Sequence, residues 1–246
     1  MKRNRIKAII DIGSHSLQLH VGEIVRRGVV RTLEELLVPI AVGRDTFTRG
    51  YVTQGTILDM IRIIRNYRQV LEGYGPCDIR AVATAGVREA ANADTVVERI
   101  HITTGVRVQV IDQITEAEIL YHGLAALFKD RYGFLGKDVL VFSLGAGGTQ
   151  IIFQRKGEVV FTDTQNQGSV RLIRDLDLSE SSLQMMLERA AEDCLREVTH
   201  YHQVKNVDRL VAVNDDVVQL VRKILPEGKV DGIYRMKADS FLPLAD

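Results

Sequence analysis

Ile9-Ile10-Asp11-Ile12-Gly13-Ser14-His15-Ser16 and, past the midpoint, Val141-Phe142-Ser143-Leu144-Gly145-Ala146-Gly147-Gly148-Thr149-Gln150 are the two stretches on which the reading of this chain turns. Each is an apolar run that stops at a glycine turn, and each is followed by a second strand-like run, Leu17 to Val25 and Ile151 to Phe153. Both therefore read as β-hairpins. Backbone N–H groups of a Gly/Ser turn form a concave nest for phosphate oxygens, and an acid at the strand end can hold a metal ion. One such turn alone is usually only a turn. Two at matching places suggest two related halves gripping one phosphate chain. The copies are unequal: the first carries Asp11 where the second has Ser143.

The rest of the composition fits a globular protein that holds its ligand locally. With 246 residues, 46% of them apolar, the chain is long enough for one large or two small domains with a substantial core. Lys+Arg and Asp+Glu number 32 each, so no global field draws nucleic acid or anionic lipid, and a polyanion must be held by a local cluster. The basic start Met1-Lys2-Arg3-Asn4-Arg5 leads into an apolar stretch that Asp11 interrupts too early for a signal peptide. No later run approaches membrane-spanning length, and a cytoplasmic protein is expected. Cys77 and Cys194 are far apart and lack metal-ligand spacing, which fits reduced structural thiols.

Short β-branched runs alternate with longer helical periods, the pattern of an α/β protein. Strands are expected at Lys7–Ile12, Leu17–Val25, Val29–Leu37, Ile79–Ala83 and Val106–Ile111. From Gln54 to Gly73 an amphipathic helix places Ile57, Ile61, Ile64 and Leu71 on one face, with Arg62 and Arg65 on a solvated side. Around Glu116 a further helix is marked by Ile119, Leu120, Leu124 and Leu127, with Thr115 and Glu118 as a capping box and Glu116 in the first turn. A second unit follows the polar stretch Lys129–Gly136 and repeats the order strand, glycine turn, strand. Its long helix is expected from about Ser181 to His202, capped by Ser181 and Gln184, and a strand at Arg209–Val213 leads through Asn214-Asp215-Asp216 into a helix that ends before Pro226.

Two residues outside the turns suit phosphate chemistry. Arg88 follows the small-residue strand end Ala81–Val87, where a guanidinium fork meets phosphate oxygens, although a lone arginine there equally suits a helix surface. Glu116 lies where a helix macrodipole favours the ionised carboxylate, ready to accept a proton from water or simply to balance the dipole.

Together these pieces resemble the exopolyphosphatase and guanosine-pentaphosphate phosphohydrolase family of the actin-like superfamily. Asp11-Ile12-Gly13-Ser14-His15-Ser16 is similar to the family's Asp-[Ile/Leu]-Gly-Ser-Asn-Ser loop, with His15 in place of asparagine. Ala81 to Asn92 resembles its Ala-Thr-Ser-Ala-x-Arg-Glu-Ala-x-Asn strip, and Val110 through Thr115-Glu116-Ala117 to Gly123 resembles its Val-Ile-Ser-Gly-x-Glu-Glu-Ala-Arg segment. The resemblance implies two actin-like (ribonuclease-H-like) α/β domains, 1–128 and 129–246, with mixed sheets flanked by helices and a ligand cleft between them. It implies Glu116 as general base, with Arg88 stabilising the transferring phosphoryl group. Phosphate binding then falls to Asp11, Gly13, Ser14, His15 and Ser16 in one turn and to Gly145, Ala146, Gly147, Gly148 and Thr149 in the other. Mg²⁺ is the implied cofactor, with Asp11 its ligand. Polyphosphate or a guanosine penta- or tetraphosphate is the implied partner, and the family's pairing extends this to a homodimer.

The departures from the pattern set the alternatives. The family's Asp-Ile-Gly-Gly-Gly-Ser-Thr-Glu loop corresponds to Ser143–Gln150, where both acids are gone, and a family Gly-Gly-Thr turn corresponds to Asn214-Asp215-Asp216. The family's last helices are missing after Asp246, as expected of a fragment or a shortened member. One expectation is a phosphoanhydride hydrolase releasing terminal phosphate by water attack. The other is a weakened or inactive member that binds a phosphorylated nucleotide or polyphosphate as a sensor or regulator. A sugar or small-acid kinase explains the twin hairpins but not the Arg88 and Glu116 segments.

Overall fold

The computed structural model describes residues 5–26, 29–128, 133–173 and 206–214, with scattered residues between 189 and 234. Its first half is built on β1 (Ile6–Ile12), β2 (Ser16–Arg26) and β3 (Val29–Pro39), an antiparallel meander, and on β4 (Asp78–Ala83) and β5 (Val108–Val110), which add in parallel beside β1. The sheet order is β3-β2-β1-β4-β5. Alternation of period two sends Ala8, Ile10 and Ile12 of β1 and Leu17, Leu19 and Val21 of β2 to one face, where all are buried. Onto that face pack α2 (Gln54–Glu72), through Ile57, Met60, Ile61, Ile64 and Leu71, and α4 (Ala93–Thr104), through Val96 and Ile100. Arg62 and Arg65 are exposed on the far side of α2, as the sequence predicts.

The second half repeats the plan. β6 (Val139–Leu144), β7 (Thr149–Arg155) and β8 (Glu158–Gln165) form a meander, and β9 (Arg209–Val213) joins in parallel beside β6, in the order β8-β7-β6-β9. This is the order β3-β2-β1-β4 of the first half with each strand replaced by its counterpart. Residues 149–154 of β7 are buried on both faces, so the strand carries a continuous run rather than an alternating one. One face meets α5 (Gln113–Phe128) through Ala117, Leu124 and Phe128; the other meets Val198 and Val204.

Helix α5 differs from expectation in two respects. It begins at Gln113, and the Asp112 carboxylate accepts from the Thr115 N–H at 2.7 Å, so Asp112 occupies the capping role expected of Thr115. Ile119 and Leu127, expected on the buried stripe, are 56% and 52% exposed, while Ala117, Leu120, Leu124 and Phe128 face the second sheet. The helix is apolar around most of its circumference, so periodicity alone could not choose its buried face. Several elements escaped the sequence reading, among them the edge strand β8, helix α4 and the short helix α1 (Val42–Arg49), whose Gly, Asp and Thr content is a poor helix signal. Most of the helix expected at Ser181–His202, Cys194, and the acidic pair Asp215-Asp216 with the helix after it lie outside the described residues. No helix among the described residues is long and apolar enough to cross a membrane.

Asp45 ties α1 to the start of α2. Its Oδ2 accepts from the Thr53 N–H (2.9 Å), the Thr53 hydroxyl (2.6 Å) and the Thr56 hydroxyl (2.6 Å). Burial works to raise this carboxyl's pKa, but the bonds from Thr53 and Thr56 overcome it and hold the group below its ordinary value. A depressed folded-state pKa gives stability that is present above the unfolded value, near pH 4, and is lost as pH falls through the folded one. Asp45→Ala is expected to cost about 1–3 kcal/mol at pH 7 and to flatten the acid limb of the stability profile, measured by urea unfolding across pH.

Candidate functional site

The two hairpin turns meet at one place. Both close in the same way, Gly13 N–H donating to Ser16 O at 3.0 Å and Gly145 N–H to Gly148 O at 2.9 Å. Those two donors are used within their own turns. The N–H groups of Ser14, His15, Ala146 and Gly147 make no hydrogen bond to any described residue, and they are the turn donors available to an anion.

Ser14 is hemmed in by backbone that has no room for side chains. Its carbonyl accepts from the Gly43 N–H of α1 at 2.6 Å. A Cβ on Gly43 would lie 2.6 Å from the Ser14 Cβ, and one on Gly147 would lie 2.7 Å from the Ala85 Cβ and 3.1 Å from the Ser14 Oγ. Gly86 presses on Ser14 from a third side. The second turn thus sits directly on the first half, beside the short helix α3 (Ala85–Arg88) that follows β4. Thr46 of α1 anchors α3 by donating its hydroxyl to Gly86 O at 2.6 Å.

Arg88 ends α3 and points across to α5. Its Nη1 donates to Ile111 O at 2.9 Å and to Glu116 Oε2 at 3.0 Å, which places the two sequence-predicted residues in one ion pair. Asp11, near the end of β1, has a buried Oδ1 with no partner among the described residues. Burial pushes the Asp11 carboxyl above its ordinary pKa, the nearby Glu116 pushes it further, and His20 offsets part of the rise.

These groups line one cleft of about 160 Å³: Asp11, Gly13, Ser14, His15 and Ser16 from the first turn, Gly145 to Gly148 from the second, and Arg88 and Glu116 between them. Thr149 is not brought to it; it is buried in β7 and donates its hydroxyl to Gln167 O at 2.6 Å. The cleft also takes in Asn214, from the turn that corresponds to the family's Gly-Gly-Thr, and residues the sequence reading did not assign to the site, notably Gln18 and Glu89. Gln18 had a signal: it stands directly opposite Asp11 in the β1–β2 register, as Gln150 stands opposite Ser143 in β6–β7. Asn214 takes a positive φ of 131° and donates its side-chain amide to Leu144 O, bringing the end of β9 against the second hairpin. Asn92, part of the strip that resembles the family pattern, does not reach the cleft; it pins Val52, accepting from its N–H at 2.9 Å and donating to its carbonyl at 2.8 Å.

Two halves of like topology, each presenting a glycine hairpin to a shared cleft, define the actin-like class. Among solved structures, an exopolyphosphatase from Cytophaga hutchinsonii superposes with a TM-score of 0.81 at 19% identity, over 97% of this chain and 78% of that one. The Ppx/GppA family member of Aquifex aeolicus gives 0.73 at 23% identity, over 92% and 71%. The profile of the Ppx/GppA phosphatase family matches residues 25–214, and the chain belongs to that family. Similar curated proteins are a bifunctional 3-dehydroquinate synthase/phosphatase of Fusobacterium nucleatum, 24% identical over 70% of this chain and 26% of its own length, and exopolyphosphatase 1 of Mycobacterium leprae, 24% identical over 58% and 41%. The chain thus spans between about a quarter and two fifths of the length of these relatives.

Two outcomes are expected from this geometry. Asp11→Asn should raise the melting temperature near neutral pH without divalent cations, by about 2–4 °C for each kcal/mol recovered in a domain of this size. Because the folded-state pKa of Asp11 is raised, that gain should vanish as pH falls towards the ordinary carboxylate range, which differential scanning calorimetry across pH checks. Gly147→Ala should cost about 1–3 kcal/mol by forcing the two turns apart, read by chemical denaturation.

Proposed function

We propose that the protein hydrolyses the terminal phosphoanhydride of a polyphosphate chain or of guanosine pentaphosphate. The observation that supports this most is the Arg88–Glu116 pair at 3.0 Å, set beside the Asp11 Oδ1 and between two turns with N–H groups that have no hydrogen-bond partner among the described residues. The chain's family and its exopolyphosphatase relatives favour the same chemistry.

In this reading the turn N–H groups and the Arg88 guanidinium hold the equatorial oxygens of the terminal phosphoryl group. The Glu116 carboxylate takes a proton from a water as that water's oxygen bonds to phosphorus. The anhydride P–O bond breaks in line, and the shortened chain leaves with the bridging oxygen. Only Oε2 of Glu116 is engaged by Arg88, so the carboxylate has a second oxygen to offer the water.

A divalent cation suits the residues present to a limited degree. Asp11 and Glu116 are two carboxylates close enough to interact, and one oxygen of Asp11 is buried without a donor. No group of three or more metal-ligating side chains exists among the described residues. That donor set fits Mg²⁺, which binds through one or two carboxylates plus substrate phosphate and keeps several waters. Asp11 would hold it, and its charge would neutralise the phosphate oxygens.

Phosphate release from long-chain polyphosphate and from guanosine pentaphosphate with Mg²⁺ tests the reading. Glu116→Gln should lower turnover by about 100-fold or more while leaving the melting temperature within a few degrees. Equal rates for the two proteins would remove Glu116 from the role of base. A second reading, a binding module without turnover, is favoured by the neutral Ser143 and Gln150 where the family pattern has acids. Ser143 and Gln150 face each other across the β6–β7 hairpin, so Ser143→Asp with Gln150→Glu rebuilds an acidic pair there and should raise Mg²⁺-dependent hydrolysis. Absence of turnover in the wild type, together with ligand-induced stabilisation that Arg88→Ala abolishes, would select the binding module.

A further inference from the structure

Behind the lining of the cleft, bonded to residues that do line it, is a cation that neither the sequence motifs nor the proposed chemistry uses. Arg171 lies on α6 (Ser169–Ile173), a short helix of the second half that begins where Ser169 N–H donates to Gly145 O and Val170 N–H to Ala146 O, each at 3.0 Å. Its guanidinium makes three contacts at once. Nε donates to Gly147 O of the second turn, Nη2 donates to the Glu89 carboxylate of the first half, and the planar group lies 3.9 Å from the centroid of the Phe47 ring on α1. A Cβ on Gly168, next to α6, would collide with the Ala146 carbonyl and the Gly148 nitrogen.

Two consequences follow for an anion in the cleft. Carbonyl and N–H of a trans peptide point in opposite directions, so anchoring Gly147 O on Arg171 fixes the Gly148 N–H away from Arg171 and sets the orientation of the turn that lines the cleft. Glu89 also lines the cleft, where it would repel phosphate unless neutralised. The partner side chains are only 20% and 32% exposed, so this charge is poorly screened by solvent. We propose that Arg171 is a positioning residue for anion binding: it orients the Gly147–Gly148 peptide and cancels the Glu89 charge, locking the second turn against the first half. This rests on the cleft being the phosphate site of the proposed function.

Tripolyphosphate binding by isothermal titration calorimetry with Mg²⁺ is the direct test, alongside KM and kcat for phosphate release. Arg171→Met should weaken binding by about 10-fold or more and raise KM more than it lowers kcat, since it leaves Glu89 bare while Glu116 and Arg88 stay in place. Adding Glu89→Gln to Arg171→Met should restore several-fold of the lost affinity, a rescue that a purely structural role for Arg171 would not give. Arg171→Lys should fall between, because an ammonium keeps the charge but lacks the fork and the planar stack. Glu89→Gln alone, which keeps Arg171 and so sidesteps any folding defect, should bind tripolyphosphate at least as tightly as the wild type. Unchanged affinity in Arg171→Met, no rescue in the double variant, or weaker binding in Glu89→Gln would overturn the assignment of Arg171. Failure of the wild type to bind tripolyphosphate would instead overturn the phosphate reading of the cleft and this assignment with it.

Discussion

The close approach of backbone around Ser14 is the constraint on which the site depends. Gly43, Gly86 and Gly147 come from three different elements, and a methyl group on any of them would meet Ser14 or its neighbours within 3.0 Å or slightly less. Protein interiors do not absorb such a displacement without moving the elements themselves. The first turn is therefore fixed by α1 and α3, and the second turn is fixed by resting on the first. Neighbouring side chains take their position from the same elements. Arg88 ends the short helix that carries Gly86, and Phe47 lies one helical turn from Gly43 on α1.

Around that point charges are arranged in pairs that leave one acid over. Glu116 pairs with Arg88, and Glu89 pairs with Arg171, so two of the three carboxylates at the cleft already have a cation. Asp11 pairs with no cation among the described residues; the residue is half-buried with its Oδ1 fully buried, and burial and the Glu116 charge drive its carboxyl towards the neutral form. An unpaired buried carboxylate costs stability unless a proton or a cation joins it. The second turn, with Ser143 and Gln150 at the corresponding positions, carries no such cost.

Much of the architecture was legible because it rests on local rules. Apolar runs ending in glycine turns identified both hairpins, and β1, β2, β4 and β9 lie where the sequence places them to within one residue. The amphipathic stripe of α2 was equally readable, since its apolar residues occupy a single face. Where the local signal was ambiguous the reading failed for a physical reason. Helix α5 is apolar nearly all round, so only its packing on the second sheet decided that Ala117 and Leu124 would be buried and Ile119 and Leu127 exposed. Thr149, at a turn boundary in the sequence, was drawn into β7 and bonded to Gln167 instead of facing the cleft.

The sequence by itself determined the two hairpins, their internal repetition and the chemical inventory of the site, because strand periodicity, turn chemistry and side-chain identity are written along the chain. Tertiary structure alone decided which of those groups share charge. Arg88 and Glu116 are 28 residues apart, and Arg171 and Glu89 are 82 apart. No periodicity relates such positions; only the folding of α3 against α5, and of α6 against the first half, brings each pair together. The same holds for the glycines around Ser14. Their need to be glycine comes from neighbours distant in sequence, through a steric limit that exists only once α1, α3 and the second turn have packed around Ser14.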